Sequence, residues 1–348
     1  MTEFVSILPY DGRSDVLLLL WFVQTRDSVT GALTPLPGVK IRSVGLKTAL
    51  LGLDNAIIEF ADFKIPHEAM LSRFSSLSTE GVYTTSFPTG VKRMLDLLIT
   101  RLLTGRIVLS EYTVSTVIKV FRRNWDYCCN RQLWKSPKAV TKPTQMMSDL
   151  PLIQNAFCDY GRCLGIVQHF IAKTRDNVVD CIKNDAFKPA VIEATCVSKF
   201  VGTGFSVDAI SAIRKLMGSQ ALFEDSFLGE SSFVCNATCA AEGDNTIMEL
   251  KIVQDLFRGR TSLWPIALML RCMKLSVGRR VVLAYLVRVA KAMILREAAL
   301  KDGQLLKDLA WCRAHMLIID AWTESKQPIA WLDSYEAIMV KFPMPTQC

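Results

Sequence analysis

From about Val91 onward apolar residues recur three and four positions apart, as at Met94, Leu97, Leu98 and Leu102 and again at Ile107 and Val108. That is the spacing of one face of an α-helix. The opening part of the chain has a different rhythm. Asp15 to Gln24 is a continuous apolar run, and Val39 to Val44 and Asn55 to Phe60 are of strand length. Pro35-Leu-Pro-Gly38 is a turn, and Ile65-Pro66 ends the last strand because proline withholds a ladder donor. Breaks in the helical part are expected at Lys135 to Pro151, Gly202 to Gly204, Gly229 to Ser232 and Gly259 to Pro265. The intervening helices are about 20 residues or longer, enough for an antiparallel bundle. Beyond Pro265, Ile266 to Lys301 and Leu305 to Trp322 read as two further helices, apolar around much of their circumference and therefore buried against something. No internal repeat or low-complexity segment interrupts this order.

With 348 residues, half of them hydrophobic, the chain can bury a large core. Its most apolar runs, Val16 to Val23 and Val281 to Val289, fall short of the roughly 20 residues of a spanning helix, so no transmembrane segment is expected. The net charge of +8 is spread along the chain. Short basic groups such as Arg122-Arg123 and Arg279-Arg280 lack the interleaved aromatics of a nucleic-acid groove. A mildly basic surface suits an anionic ligand equally well. Eleven cysteines without a signal-peptide pattern read as core residues of a protein in a reducing compartment. Neither their spacing nor the scattered His67, His169 and His315 forms a metal-ligand pattern. His315 is a lone histidine on an apolar helix and reads as packed and hydrogen-bonded.

The most specific chemistry lies in Ala240-Ala-Glu-Gly-Asp-Asn-Thr-Ile-Met-Glu249. One carboxylate, Glu242, stands beside a glycine and a small polar run just before a helix. Asp244, Asn245 and Thr246 can cap that helix and offer donors to a phosphate or a flavin edge. On residue types alone two readings stand: an ordinary capped helix start with Glu242 in a solvated loop, and a turn presented to a ligand. Arg101 reads as a surface helix arginine and Arg131 as a helix-end cation.

The Glu-Gly-Asp-Asn-Thr run before a helix resembles the segment of acyl-CoA oxidases whose glutamate removes the α-proton of the thioester. Further similar segments follow in order: Pro35-Leu-Pro-Gly-Val-Lys-Ile, Leu53-Asp-Asn-Ala-Ile-Ile-Glu-Phe, and Phe63-Lys-Ile-Pro-His-Glu-Ala-Met-Leu71, which leads through Gly81-Val-Tyr83 into the first long helix. Leu309 to Ile319 resembles the second C-terminal helical domain found in the oxidases and absent from the shorter acyl-CoA dehydrogenases. The resemblance runs from about Val16 to Trp322 and implies a mainly α fold. Residues 1–75 would be a partial β domain, 76–262 an acyl-CoA dehydrogenase-type helical bundle, and 263–348 an abbreviated oxidase-type helical domain.

The same resemblance implies FAD as cofactor and an acyl-CoA as substrate, with α,β-desaturation as the reaction. Glu242 would be the base and Arg101 an orienting cation. Arg131 matches an arginine that reaches the FAD of a neighbouring subunit, and Gln154 a glutamine on the next helix. Lys215, Leu216, Met217, Gly218 and Ser219 stand where the family has a Gly-Gly turn, here with serine in place of the second glycine, and Asp244, Asn245 and Thr246 complete the cofactor set. The chain starts partway through the family's β domain, so the expected partner is a second copy or a chain supplying an N-terminal half. The competing expectation is an inactive family remnant serving as a structural subunit of a larger complex. The compartment implied is the mitochondrial matrix or the peroxisome.

Overall fold

The computed structural model describes the chain except residues 1, 8–18, 27–33, 53–54, 79, 87–93, 135–144, 185, 187, 296–297, 299–300 and 341–348; of 2–7, 19–24 and 94–101 it describes the backbone only. The chain divides into two compact units, Met1–Arg101 and Leu102–Cys348.

The first unit holds three antiparallel two-stranded ladders: β1 (Thr2–Ile7) with β2 (Leu19–Gln24), β3 (Val39–Ser43) with β4 (Ala56–Phe60), and β5 (Ser75–Leu77) with β6 (Tyr83–Thr85). The Pro35 to Gly38 turn forms as its residues dictate. The Val39 amide donates to the Leu36 carbonyl, and Gly38 takes φ +83 with a Cβ position only 2.6 Å from the Ala61 oxygen. No side chain fits there. The start of the apolar run at Asp15, and Leu53-Asp54 of the next segment, lie outside the described residues.

The second unit is built of long helices. α1 (Met94–Asn130) enters it and is followed by a two-residue ladder of β7 (Gln132–Leu133) with β8 (Gln145–Met146). α2 (Pro151–Lys183) and α3 (Pro189–Leu216) each begin with proline in the first turn, where its missing amide proton costs nothing. α4 (Leu228–Ala240) and α5 (Asn245–Phe257) follow, then α6 (Ile266–Cys272), α7 (Ser276–Leu295), α8 (Gly303–Glu324) and α9 (Trp331–Met339).

α3 is the axis of this unit. Phe200, Ile210 and Ile213 are fully buried, each contributing roughly 1.5–3 kcal/mol of hydrophobic stabilisation. By length and composition α3 could cross a membrane, but 72% of its most apolar stretch is buried inside the unit. Its apolarity serves the core, which also takes in α6 to α9.

Three sequence expectations are corrected here. Gly202 to Gly204 is no break: it lies inside α3, and a Cβ on Gly202 would sit 3.1 Å from Ile171 and 3.5 Å from Ser110. The glycine allows α1, α2 and α3 to approach closely. Gly229 to Ser232 likewise lies within α4. Conversely, Ile266 to Lys301 is not one helix, because the chain folds back after Cys272, with Gly278 so close to the Cys272 carbonyl that a Cβ would be 1.9 Å from its oxygen.

Two polar pairs lie inside this core. Arg313 on α8 grips Glu193 on α3 through two hydrogen bonds of 2.7 and 3.0 Å, with both residues buried. His315, two residues further, is buried as expected, and its Nδ1 lies 2.8 Å from the Tyr335 hydroxyl. The ten cysteines among the described residues are all free.

Candidate functional site

α4 and α5 are joined by a turn of four residues, Ala241 to Asp244, in which Glu242 and Gly243 adopt successive positive φ values of +54 and +98. The left-handed region is natural for Gly243 and costly for a glutamate, on the order of 1 kcal/mol. Asp244 then caps α5, its carboxylate accepting the Thr246 amide at 2.8 Å. That hydrogen bond holds its pKa below the usual carboxylate value.

The carboxylate of Glu242 lies directly against α1. A Cβ placed on Gly105 would be 2.7 Å from its carboxyl carbon and 2.8 and 2.9 Å from its two oxygens. Gly105 therefore makes the recess the carboxylate occupies. The next residue, Arg106, is buried and its Nε donates to the Glu242 carbonyl oxygen at 3.2 Å. Glu242 itself is exposed. The site thus consists of an accessible carboxylate on a strained turn, backed by a glycine and tied by a buried guanidinium.

Arg101 was the expected orienting cation of the stretch Thr100-Arg101 and Gly105-Arg106, and it is the Arg106 guanidinium that is seen to reach the turn. Its neighbour by one and a half turns, Arg101, is on the same helix, but its side chain lies outside the described residues. A residue missed as part of the site is Lys199 on α3. Its ammonium reaches into the turn, donating to the Cys239 carbonyl (2.5 Å), the Gly243 carbonyl (2.7 Å) and Asn245 Oδ1 (2.8 Å). Nothing near Lys199 in the sequence advertises this, since it stands in an apolar helix forty residues upstream. Asn245 is held further by Thr203, whose hydroxyl donates to the same Oδ1 at 3.1 Å. Its side chain is therefore committed to α3, while Asp244 and Thr246 are exposed.

The other predicted residues gather at the opposite end of α1. Arg131 follows its last residue and is exposed; its carbonyl accepts the Met147 amide. Gln154 is exposed in the first turn of α2, and Lys215 is exposed at the end of α3. Leu216 is half-buried, and Met217 is buried with its sulfur 3.8 Å from the Cys128 sulfur, so the Met217 side chain belongs to the core. Gly218 takes φ +57, and a Cβ there would meet nothing within 4 Å. Gly218 and Ser219 are exposed. Beside them Asn124, Tyr127 and Asn130 of α1 and Gln220, Asp225 and Ser226 line a hollow of about 230 Å³.

Gly105 and Arg131 are 26 residues apart, and all but the last of these lie on one continuous helix. At 1.5 Å per residue that is about 40 Å. Glu242 and Arg131 of one chain therefore stand further apart than a single dinucleotide reaches.

No family model matches the chain. Among curated proteins it is similar to the peroxisomal acyl-coenzyme A oxidase 2 of Arabidopsis thaliana, with 24% identity over 254 residues, 71% of this chain and 35% of that protein. Among solved structures it superposes on acyl-CoA oxidase 1 of Arabidopsis thaliana with a TM-score of 0.78 at 17% identity, over 94% of this chain and 55% of that one. It superposes also on acyl-CoA oxidase-2 of Caenorhabditis elegans, solved with FAD, ascaroside-CoA and ATP, with a TM-score of 0.69 at 13% identity over 92% and 52%. The chain is related to the acyl-CoA oxidases and has a mainly α fold of their kind. It spans about a third of the length of the curated relative and about half of each solved chain.

Proposed function

We propose that this polypeptide carries the base-bearing part of an FAD-dependent acyl-CoA oxidase site and desaturates an acyl-CoA thioester between Cα and Cβ. The observation that carries the reading is the Glu242 carboxylate, accessible, held on a strained turn and seated over a glycine that exists only as glycine there. In this reading Glu242 accepts the α-proton as general base. Arg106 fixes the backbone of the base, and Arg101 stands on the same helix as a candidate to orient the thioester. When bound, FAD would supply the acceptor for the β-hydride, leaving a trans-2-enoyl thioester.

The residues present fit such a group. Gly218 in its left-handed conformation leaves open space for close approach, and the exposed Arg131 and Lys215 offer cations suited to a pyrophosphate. Gln154, Ser219, Asp244 and Thr246 are exposed polar groups at the two clusters, while Leu216, Met217 and Asn245 would support the turns from inside. In this reading Arg131, about 40 Å along α1 from Glu242, serves the cofactor of a second copy of the chain. The working unit in this reading is thus a dimer, in a peroxisome as the names of the relatives suggest.

Glu242→Gln is expected to retain flavin and lower acyl-CoA oxidation by at least a hundredfold, within the range general bases contribute. Unchanged turnover in that variant sinks the assignment. Arg131→Ala is expected to weaken flavin retention in the dimer without altering the thermal unfolding of flavin-free protein; equal retention places Arg131 outside the cofactor site.

A further inference from the structure

The turn bearing Glu242 contains two successive left-handed residues, one of them not glycine, and such a conformation persists only where its surroundings fix it. The group that does so is the side chain of Lys199, which has no exposed surface. Its three contacts bracket the turn: Cys239 in the last turn of α4, Gly243 inside the turn, and Asn245 at the start of α5. All three are carbonyl or amide oxygens. An ammonium has three protons and no lone pair, so it satisfies all three at once, which no neutral side chain of that length does.

We infer that Lys199 is a positioning residue for Glu242: its buried ammonium clamps the turn between α4 and α5 and so keeps the carboxylate seated over Gly105. This rests on the reading of Glu242 as the base. Burial is an expensive place for a charge, and here it pushes the Lys199 pKa down to about 8. Near pH 7 the group is still mostly the three-proton form that the three oxygens require. Arg106 acts on the same turn from the other side through the Glu242 carbonyl, but it holds one atom where Lys199 holds three.

The test is amide hydrogen exchange on the full chain, which needs no flavin. In Lys199→Met, exchange over residues 241–246 is expected to rise about tenfold or more, as lost hydrogen bonds to a charged group predict, while exchange within α8 stays as in the wild type. A uniform rise through the whole unit, or no rise at the turn, overturns the proposal. Because Lys199→Met strips the ammonium from three oxygens, of which only Asn245 Oδ1 keeps a donor in Thr203 among the described residues, and can prevent folding, Asn245→Ala is the second variant. It removes one of the ammonium's partners, and is expected to raise exchange at the turn several-fold; unchanged exchange overturns the proposal. In flavin-loaded enzyme Lys199→Met is further expected to lower kcat with little change in KM, and Lys199→Arg to restore part of it. If Glu242→Gln keeps full activity, the base assignment fails while the exchange result at the turn stands by itself, so the two failures are distinguishable.

Discussion

Replacing Arg313 by methionine is expected to destabilise the protein by about 3–5 kcal/mol, the usual consequence of leaving one member of a buried ion pair without the other. Glu193 would be the stranded charge. It is 4% exposed, lies on the central α3, and receives both hydrogen bonds of 2.7 and 3.0 Å from Arg313 alone among the described residues. The pair joins α3 to α8, so its loss loosens the attachment of the C-terminal helices to the rest of their unit. Arg313 also has one buried guanidinium nitrogen, Nη1, with no partner, which limits the net value of the pair. The double variant Glu193→Leu with Arg313→Met should therefore recover most of the loss. Urea unfolding of the two single variants and the double variant reads this as a double-mutant cycle. A single variant within 1 kcal/mol of the wild type would show that the pair is solvated.

The second large effect is on acid stability. His315 is 1% exposed, and burial pushes its pKa from 6.5 down to about 3. Between these values the unfolded chain binds a proton that the folded chain refuses. The stability contributed by neutral His315 is thus fully present above pH 6.5 and is lost as pH falls through that window toward 3. Its upper size is roughly 5 kcal/mol at one pKa unit per 1.36 kcal/mol. His315→Gln preserves a polar partner for the Tyr335 hydroxyl and does not titrate, so its unfolding free energy should fall less steeply from pH 6.5 to 4. Parallel curves for variant and wild type would mean that His315 protonates in the folded state.

Much of the fold is legible in the residues because its signals are local. The turn at Gly38 and the cap at Asp244 follow from residue type at one position, and His315 follows from a polar residue on an otherwise apolar helix. The glycine errors have the opposite origin. Gly202 is an interior helix residue because Ile171 and Ser110 lie against it, and no local signal distinguishes a glycine for packing from a glycine for breaking. The fold-back at Cys272 is a tertiary event for the same reason.

The site was partly readable. Glu242 and its capped helix stand in one continuous segment, so the turn and the cap both show in the sequence. What supports Glu242 comes from elsewhere in the chain: Gly105 and Arg106 from α1, Lys199 and Thr203 from α3. A lysine in an apolar helix ordinarily sends its ammonium to solvent, and only the assembled bundle shows that this one ends inside a turn. Arg131 and Glu242 could be named separately, yet their separation along α1 required the helix to be seen as continuous.

The central claim is that Glu242 is the base of a working flavin site. It is tested most directly by the visible spectrum of the protein purified from its native source, with whatever co-purifies, under anaerobic titration with an acyl-CoA. The account predicts a flavin spectrum that bleaches on addition of the thioester. A colourless protein, or a flavin that acyl-CoA leaves oxidised, would contradict it and mark the fold as a scaffold.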